Sequence, residues 1–198
     1  MKAMSPRSAI VAALTGILAL CVVALVLVER LAGSGNGMPT IGGPFQLTDM
    51  NGKAVSEASY RGKWLLVYFG YTHCPDACPT ALNDMAEAID ELGPKSGRVQ
   101  GLFITVDPER DTPDVLKDYV AAFGDKLVGL TGTPEQIQRA AKAYRVYYAK
   151  HGGAESGEYD MDHSSVIYVM DPDGHFVANF THESEPKQIA ERLRTLIS

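Results

Sequence analysis

The sequence predicts an α/β fold, with a largely parallel sheet covered on both faces by helices and closed by a terminal hairpin and helix. Three observations predict it. Two apolar runs, "KWLLVYFGYT" and "VQGLFITVD", are continuous rather than alternating, the pattern of strands buried on both faces. Helical stretches opened by cap residues and proline lie between such runs, which is the spacing of βαβ units. Near the C-terminus, "SSVIYVMD", "PDG" and "HFVANF" form two strands around a tight turn, which adds antiparallel edges.

Each element has its own signal. "FQLTDMNGKAVS" alternates around Asn51-Gly52, the pattern of a hairpin with a two-residue turn. After the first apolar strand, Pro79 opens "TALNDMAEAIDELG", a helix that ends at Gly93. The second apolar strand leads through "PERD" to Thr112 as N-cap and Pro113 at the first helical position, and that helix runs to about Phe123. "KLVGLTG" is a short strand, and a helix from Thr133 with Pro134 and Glu135 behind it reaches about Tyr148. "HGGAESGEYDMD" is polar and Gly-rich, hence a loop, and "EPKQIAERLRTLI" closes the chain as a helix. A strand, a Cys pair at a helix N-terminus, then a hairpin and a last helix resemble the thioredoxin fold.

At 198 residues the chain suits one domain of ordinary size, and 45% hydrophobic content suffices for a packed core. Its net charge of −6, without a basic run, argues against nucleic-acid binding. Lys2, Arg7 and Arg30 against Glu29 give residues 1–30 a charge of +2, so the remaining 168 residues carry −8. Within that basic leader, residues 9–28 are twenty uncharged residues, about the ~20 that span a bilayer. Lys2 and Arg7 ahead of them keep the N-terminus in the cytoplasm. An A-x-A cleavage site is absent, so the segment reads as an uncleaved anchor with Cys21 buried in it. The organisation expected is an anchor in 1–30, a Gly-rich tether in 31–44 and a folded body in 45–198. That body lies outside the cytoplasmic membrane, on the periplasmic side. Such a compartment oxidises thiols, yet the body has two cysteines rather than a disulfide scaffold, which points to chemistry.

Cys74 and Cys78, in "GYTHCPDACP", are four residues apart at a helix start. Helical i and i+4 positions face the same way, close enough for a disulfide or for two thiolates on one soft metal. A helix N-terminus lowers thiol pKa, which suits redox and metal roles alike. An inert disulfide across so small a loop gains little. Thioredoxin-type oxidoreductases carry two residues between their cysteines, and this chain carries three. A soft-metal site needs a third ligand. His163 is the candidate, because the loop before the hairpin faces the Cys pair in this fold and Asp162, His163 and Ser164 occupy it. His73 reads as packing or thiolate tuning, and His151, His175 and His182 as surface residues. Two thiolates and one imidazole, without a fourth ligand, suit Cu(I) better than zinc. A redox-active pair, a metal clamp and a peroxidase-like nucleophile remain the alternatives.

"YFGYTHCPDACP", "VDPERDTP", "YRVYY" and "DHSSVIYVMDPDG", in this order over residues 68 to 174, resemble the motif set of the Sco/SenC copper-chaperone family. The resemblance implies a membrane-tethered protein of thioredoxin-like fold with copper held by Cys74, Cys78 and His163. It implies delivery of copper to, or reduction of, the binuclear copper site in subunit II of cytochrome c oxidase. A thioredoxin-like reductant and other copper chaperones are further implied partners. Asp76, Asp107 and Arg110 match family positions near the site, with turn formation and capping as their plainer role. A thiol–disulfide oxidoreductase acting on a protein partner is the alternative function.

Overall fold

The structure is a computed structural model that describes residues 16, 20, 22, 23, 40–152, 159–181 and 183–197. The chain divides into two compact units, Met1–Pro39 and Thr40–Ser198. In the first, Gly16, Leu20, Val22 and Val23 are helical, and the rest of the expected anchor and tether up to 39 lies outside the described residues, as does His182. No helix among the described residues is long and apolar enough to cross a membrane.

The second unit is built on a seven-stranded sheet and a separate two-stranded ribbon. In chain order the strands are β1 (Gln46–Asp49), β2 (Ala54–Ser56), β3 (Trp64–Gly70), β4 (Val99–Thr105), β5 (Leu127–Thr131), β6 (Tyr148–Gly152), β7 (Tyr159–His163), β8 (Val166–Met170) and β9 (Phe176–Thr181). The α-helices of this unit are α1 (Ala77–Asp90), α2 (Pro113–Ala121), α3 (Pro134–Tyr144) and α4 (Pro186–Leu196). The large sheet runs β2-β1-β5-β4-β3-β8-β9. Only β3–β4 and β4–β5 are parallel, so the sheet is mixed rather than largely parallel: three parallel strands with antiparallel pairs on both sides. β1 lies antiparallel to β5, which turns that side of the sheet antiparallel as well.

All seven residues of β3 are buried, as its continuous apolar sequence requires. Leu66, Val67, Tyr68 and Phe69 share the core with Leu102, Phe103 and Ile104 of β4 and with Ile167 and Val169 of β8. Each such side chain contributes about 1.5–3 kcal/mol by leaving water. Helix α1 packs on β3, β4 and α4, while α2 lies on β5 and α3 on β1. Thr112 and Thr133 cap α2 and α3 through their hydroxyls, with proline next in sequence, as expected.

Four local expectations are corrected. The first hairpin has a three-residue loop: Asp49 N–H donates to the Lys53 carbonyl at 2.9 Å, and Gly52 takes the left-handed φ of 77° that closes such a loop. Helix α1 starts at Ala77, two residues before Pro79, so Cys78 is inside its first turn while Cys74 precedes it. Helix α3 stops at Tyr144, where Arg145 turns left-handed (φ 58°) and Val146 N–H reaches back to the Ala141 carbonyl at 2.8 Å. No glycine marks that stop, which is why the sequence pattern ran on to Tyr148. Finally, the segment read as a loop after Tyr148 forms the antiparallel β6–β7 ribbon, with Tyr148 paired to His163. His163 therefore ends a strand.

Candidate metal and thiol centre

Strand β3 ends at Gly70, and three residues, Tyr71, Thr72 and His73, carry the chain to Cys74. A turn follows, with Cys74 N–H donating to the Tyr71 carbonyl at 3.3 Å. Helix α1 then begins with Asp76 as its N-cap, but the Asp76 side chain makes no capping bond. Cys78 N–H instead donates to Cys74 Sγ at 3.4 Å. The first thiol thus accepts one of the N–H groups that a helix start leaves unpaired. Pro79, one position later, lacks an N–H and leaves none unpaired. Cys74 is half-buried, Cys78 is fully buried, and both are free thiols.

Gly70 makes the space for the second sulfur. A Cβ there would lie 2.6 Å from Cys78 Sγ and 2.9 Å from Phe103 Cε2. The absence of a side chain at the end of β3 is therefore what lets the thiol sit under the strand.

His163 comes to this pair from the far side, at the end of β7. Its Nε2 lies 3.4 Å from Cys78 Sγ, and its Nδ1 lies 3.3 Å from the Ser164 carbonyl. A carbonyl can only accept, so Nδ1 is the ring nitrogen that donates to it, and Nε2 is the one that faces the sulfurs. The rings of Tyr68 and Tyr71 stand edge-on to the imidazole, with centroids 6.0 and 5.8 Å away. The ligand atoms of Cys74, Cys78 and His163 all lie within 4.8 Å of one another, close enough to hold one metal ion. Soft sulfur paired with imidazole is a donor set that copper accepts.

The two thiols differ electrostatically. A hydrogen bond from the Cys78 thiol holds Cys74 well below the usual thiol range, with the His163 ring adding to the effect. Cys78 is pushed up by that same bond, which keeps its proton in place, and by burial. Cys74 is thus the thiolate and Cys78 the thiol. Iodoacetamide should therefore label Cys74 first, at a rate nearly flat between about pH 6 and 8, where an ordinary thiol speeds up roughly tenfold per pH unit. A rate that rises tenfold per unit, followed by mass spectrometry of the labelled peptide, would contradict that assignment.

A second layer holds the loops in place. Asp111, fully buried, accepts from Thr72 N–H at 3.1 Å, from the Thr72 hydroxyl at 2.6 Å and from the Thr105 hydroxyl at 2.6 Å. It ties the approach to Cys74 to the end of β4. Burial pushes the Asp111 carboxyl up, against the three hydrogen bonds. Asp107 is buried as well, salt-bridged to Arg110 and accepting from the Tyr159 hydroxyl at 2.9 Å. Turn formation is part of its role, since Arg110 N–H and Asp111 N–H both donate to the Asp107 carbonyl.

The other expected residues contribute no ligand atom to this three-atom cluster. His73 is exposed, with Nδ1 3.1 Å from the Thr72 hydroxyl. Asp76 is exposed at the helix cap. His151 pairs across the ribbon with Asp162 at 3.4 Å, and His175 pairs with Asp171 at 3.2 Å in the β8–β9 turn. Sequence reasoning passed over Tyr71, Asp111 and Tyr159. Asp111 had a signal, as an acid between a strand and a helix cap in "PERDTP", whereas Tyr159 sat in what read as a loop.

Comparison with known proteins agrees with this geometry. The family model described as SCO1/SenC matches residues 33–198. The human mitochondrial protein SCO1 homolog is 43% identical over 161 residues, 80% of this chain and 54% of that protein. The chain spans about half the length of the curated relatives it matches. Among solved structures, copper-bound ScoI of Bradyrhizobium japonicum is 48% identical with a TM-score of 0.73, covering 78% of this chain and 98% of that one. BsSco, described by its disulfide switch and as a member of the Sco family of cytochrome c oxidase assembly proteins, is 26% identical. Its TM-score is 0.61, over 81% of this chain and 95% of that one. A thioredoxin-like α/β body with two free thiols and an imidazole in reach of one ion, matched over most of its length, identifies the chain as a member of the SCO1/SenC family.

Proposed function

We propose that this protein is a membrane-tethered copper chaperone for the binuclear copper site of cytochrome c oxidase subunit II. Copper is its cargo, held by Cys74, Cys78 and His163. The observation that carries the reading is the convergence of three soft or borderline donor atoms within 4.8 Å, drawn from the turn before α1, the first turn of α1 and the end of β7. Family membership and the copper held by the ScoI relative support it. So does the chemistry of the set: three ligands with a half-buried first sulfur leave the ion exchangeable, whereas structural zinc sites close with four. Residues 9–28 serve as the anchor, 31–44 as the tether and 45–198 as the extracytoplasmic body, on the strength of the uncharged run and the basic residues before it.

A second reading, thiol–disulfide exchange with a protein partner, is favoured by the asymmetry of the thiols. A half-buried thiolate beside a buried thiol is the arrangement of an attacking and a resolving cysteine. The two readings share one requirement, since a disulfide between Cys74 and Cys78 removes both thiolates from the metal. Anaerobic titration with Cu(I) against a competing chelator separates them. The reduced chain should take up Cu(I) tightly and the oxidised chain should not. Equal uptake by both forms, or none by either, would overturn the chaperone reading.

A further inference from the structure

His163 reaches the thiols from a ribbon that belongs to no larger sheet. Strands β6 and β7 pair only with each other among the described residues. A two-stranded ribbon is marginal by itself in water, so its place relative to Cys74 and Cys78 must be set by side chains. Met161 in the middle of β7, buried in the core, is one of them, and a second group converges on Arg110, in the loop after β4.

The Arg110 guanidinium lies over the Tyr159 ring, 3.8 Å from its centroid, at the start of β7. Its Nη1 donates to the Tyr159 carbonyl at 2.9 Å, and its Nε to buried Asp107, whose other oxygen accepts from the Tyr159 hydroxyl. On the site side, the guanidinium carbon is 5.8 Å from the centroid of Tyr71, the ring that stands edge-on to His163. One planar cation therefore touches the strand that carries His163 and the ring beside it. Among the described residues Nη2 is buried without a hydrogen-bond acceptor, and the two aromatic rings add to the charge compensation that Asp107 supplies. The neighbouring Lys150–Glu109 pair is exposed at both ends and contributes about 0–1 kcal/mol. Lys150 also lies over the Tyr159 ring, 4.0 Å from its centroid, but makes no bond to buried Asp107 and so does not replace the half-buried Arg110 cluster.

We infer that Arg110 is a positioning residue: it locks the β6–β7 ribbon to the loop after β4 and so holds His163 over the thiol pair. The inference rests on the metal-site reading for its consequence, but not for its geometry. Lysine cannot substitute, because it has no planar fork to bond Asp107, cover a ring and reach a carbonyl together. Without the lock, the imidazole would lose its fixed place, while both sulfurs would keep theirs.

The test uses the full chain with Arg110→Gln, Arg110→Lys and Tyr159→Phe, the last of which keeps the stacked ring and loses only the hydroxyl. In the reduced, metal-free protein, amide hydrogen exchange in β6 and β7 should quicken by more than about tenfold in both Arg110 variants, with β3 and β4 unchanged. The His163 ring signals should shift in the nitrogen-resolved NMR spectrum. Tyr159→Phe should lie between wild type and Arg110→Gln. In titrations, Cu(II) affinity should fall about 10–100-fold, the usual cost of losing a partner that orients a ligand, while Cu(I) binding by the thiols changes far less. Unchanged exchange in the ribbon, an equal rise across the whole body, or a loosened ribbon with unchanged Cu(II) affinity would each overturn the inference. A wild-type chain that takes up no copper would end the chaperone reading, and the exchange rates and His163 signals would then decide the role of Arg110 alone.

Discussion

His163→Ala is expected to lower Cu(II) affinity by more than about 100-fold, beyond the 10–100-fold that loss of an orienting partner costs. The side chain removed is the only nitrogen donor of the three-atom cluster. Cu(II) prefers nitrogen and oxygen donors in a tetragonal set, whereas Cu(I) accepts two thiolates. Cu(I) binding should therefore survive in weakened form. The thiols keep the Cys78 N–H to Cys74 Sγ contact and their place at the start of α1, so disulfide formation and reduction should change little. If the chaperone reading holds, delivery of copper to the oxidase should drop in parallel with Cu(II) binding. In the thiol-exchange reading the order reverses: His163 only helps to hold the Cys74 thiolate, and its loss would slow exchange while assembly persists. Copper titration and thiol exchange measured on the same variant discriminate the two. Unchanged affinity in both oxidation states would remove His163 from the site.

Gly70→Ala should damage both the body and the site. The new Cβ would stand 2.6 Å from Cys78 Sγ, 2.9 Å from Phe103 Cε2 and 3.1 Å from Tyr68 Cε1, all belonging to fully buried residues. None of these neighbours is the free end of a flexible chain, so either β3 or the start of α1 must move. Overpacking of this kind costs about 1–3 kcal/mol. At about 2–4 °C per kcal/mol for a domain of this size, the melting temperature of the metal-free protein should fall by roughly 2–12 °C. Because the displaced atom is a proposed ligand, Cu(I) affinity should fall with it. Calorimetry and a chelator competition on the same sample check both halves. A variant that melts and binds copper like the wild type would show that Cys78 does not need the space under β3.

Much of this was legible in the chain itself, because it depends on short-range rules. Continuous apolar runs wrote β3 and β4, a threonine followed by proline wrote the starts of α2 and α3, and "PDG" wrote the β8–β9 turn. Cys74 and Cys78 declared themselves because cysteines four apart, with proline beside each, have few idle explanations. The antiparallel pairing of β1 with β5, the early stop of α3 and the β6–β7 ribbon were not legible. Each is decided by partners distant in sequence or by a left-handed residue that is not glycine. The site divides along the same line. Which residues carry sulfur and imidazole is a property of the sequence, and so is their rough proximity once the fold class is known. That Nε2 rather than Nδ1 faces the thiols, that Gly70 hollows the space for Cys78, and that Arg110 lies against both the Tyr159 ring that opens β7 and the Tyr71 ring beside His163 were decided only by tertiary structure. Hydrogen-bond direction, steric room and ring stacking act over a few ångströms between segments tens of residues apart, and only the folded chain brings those segments within that range.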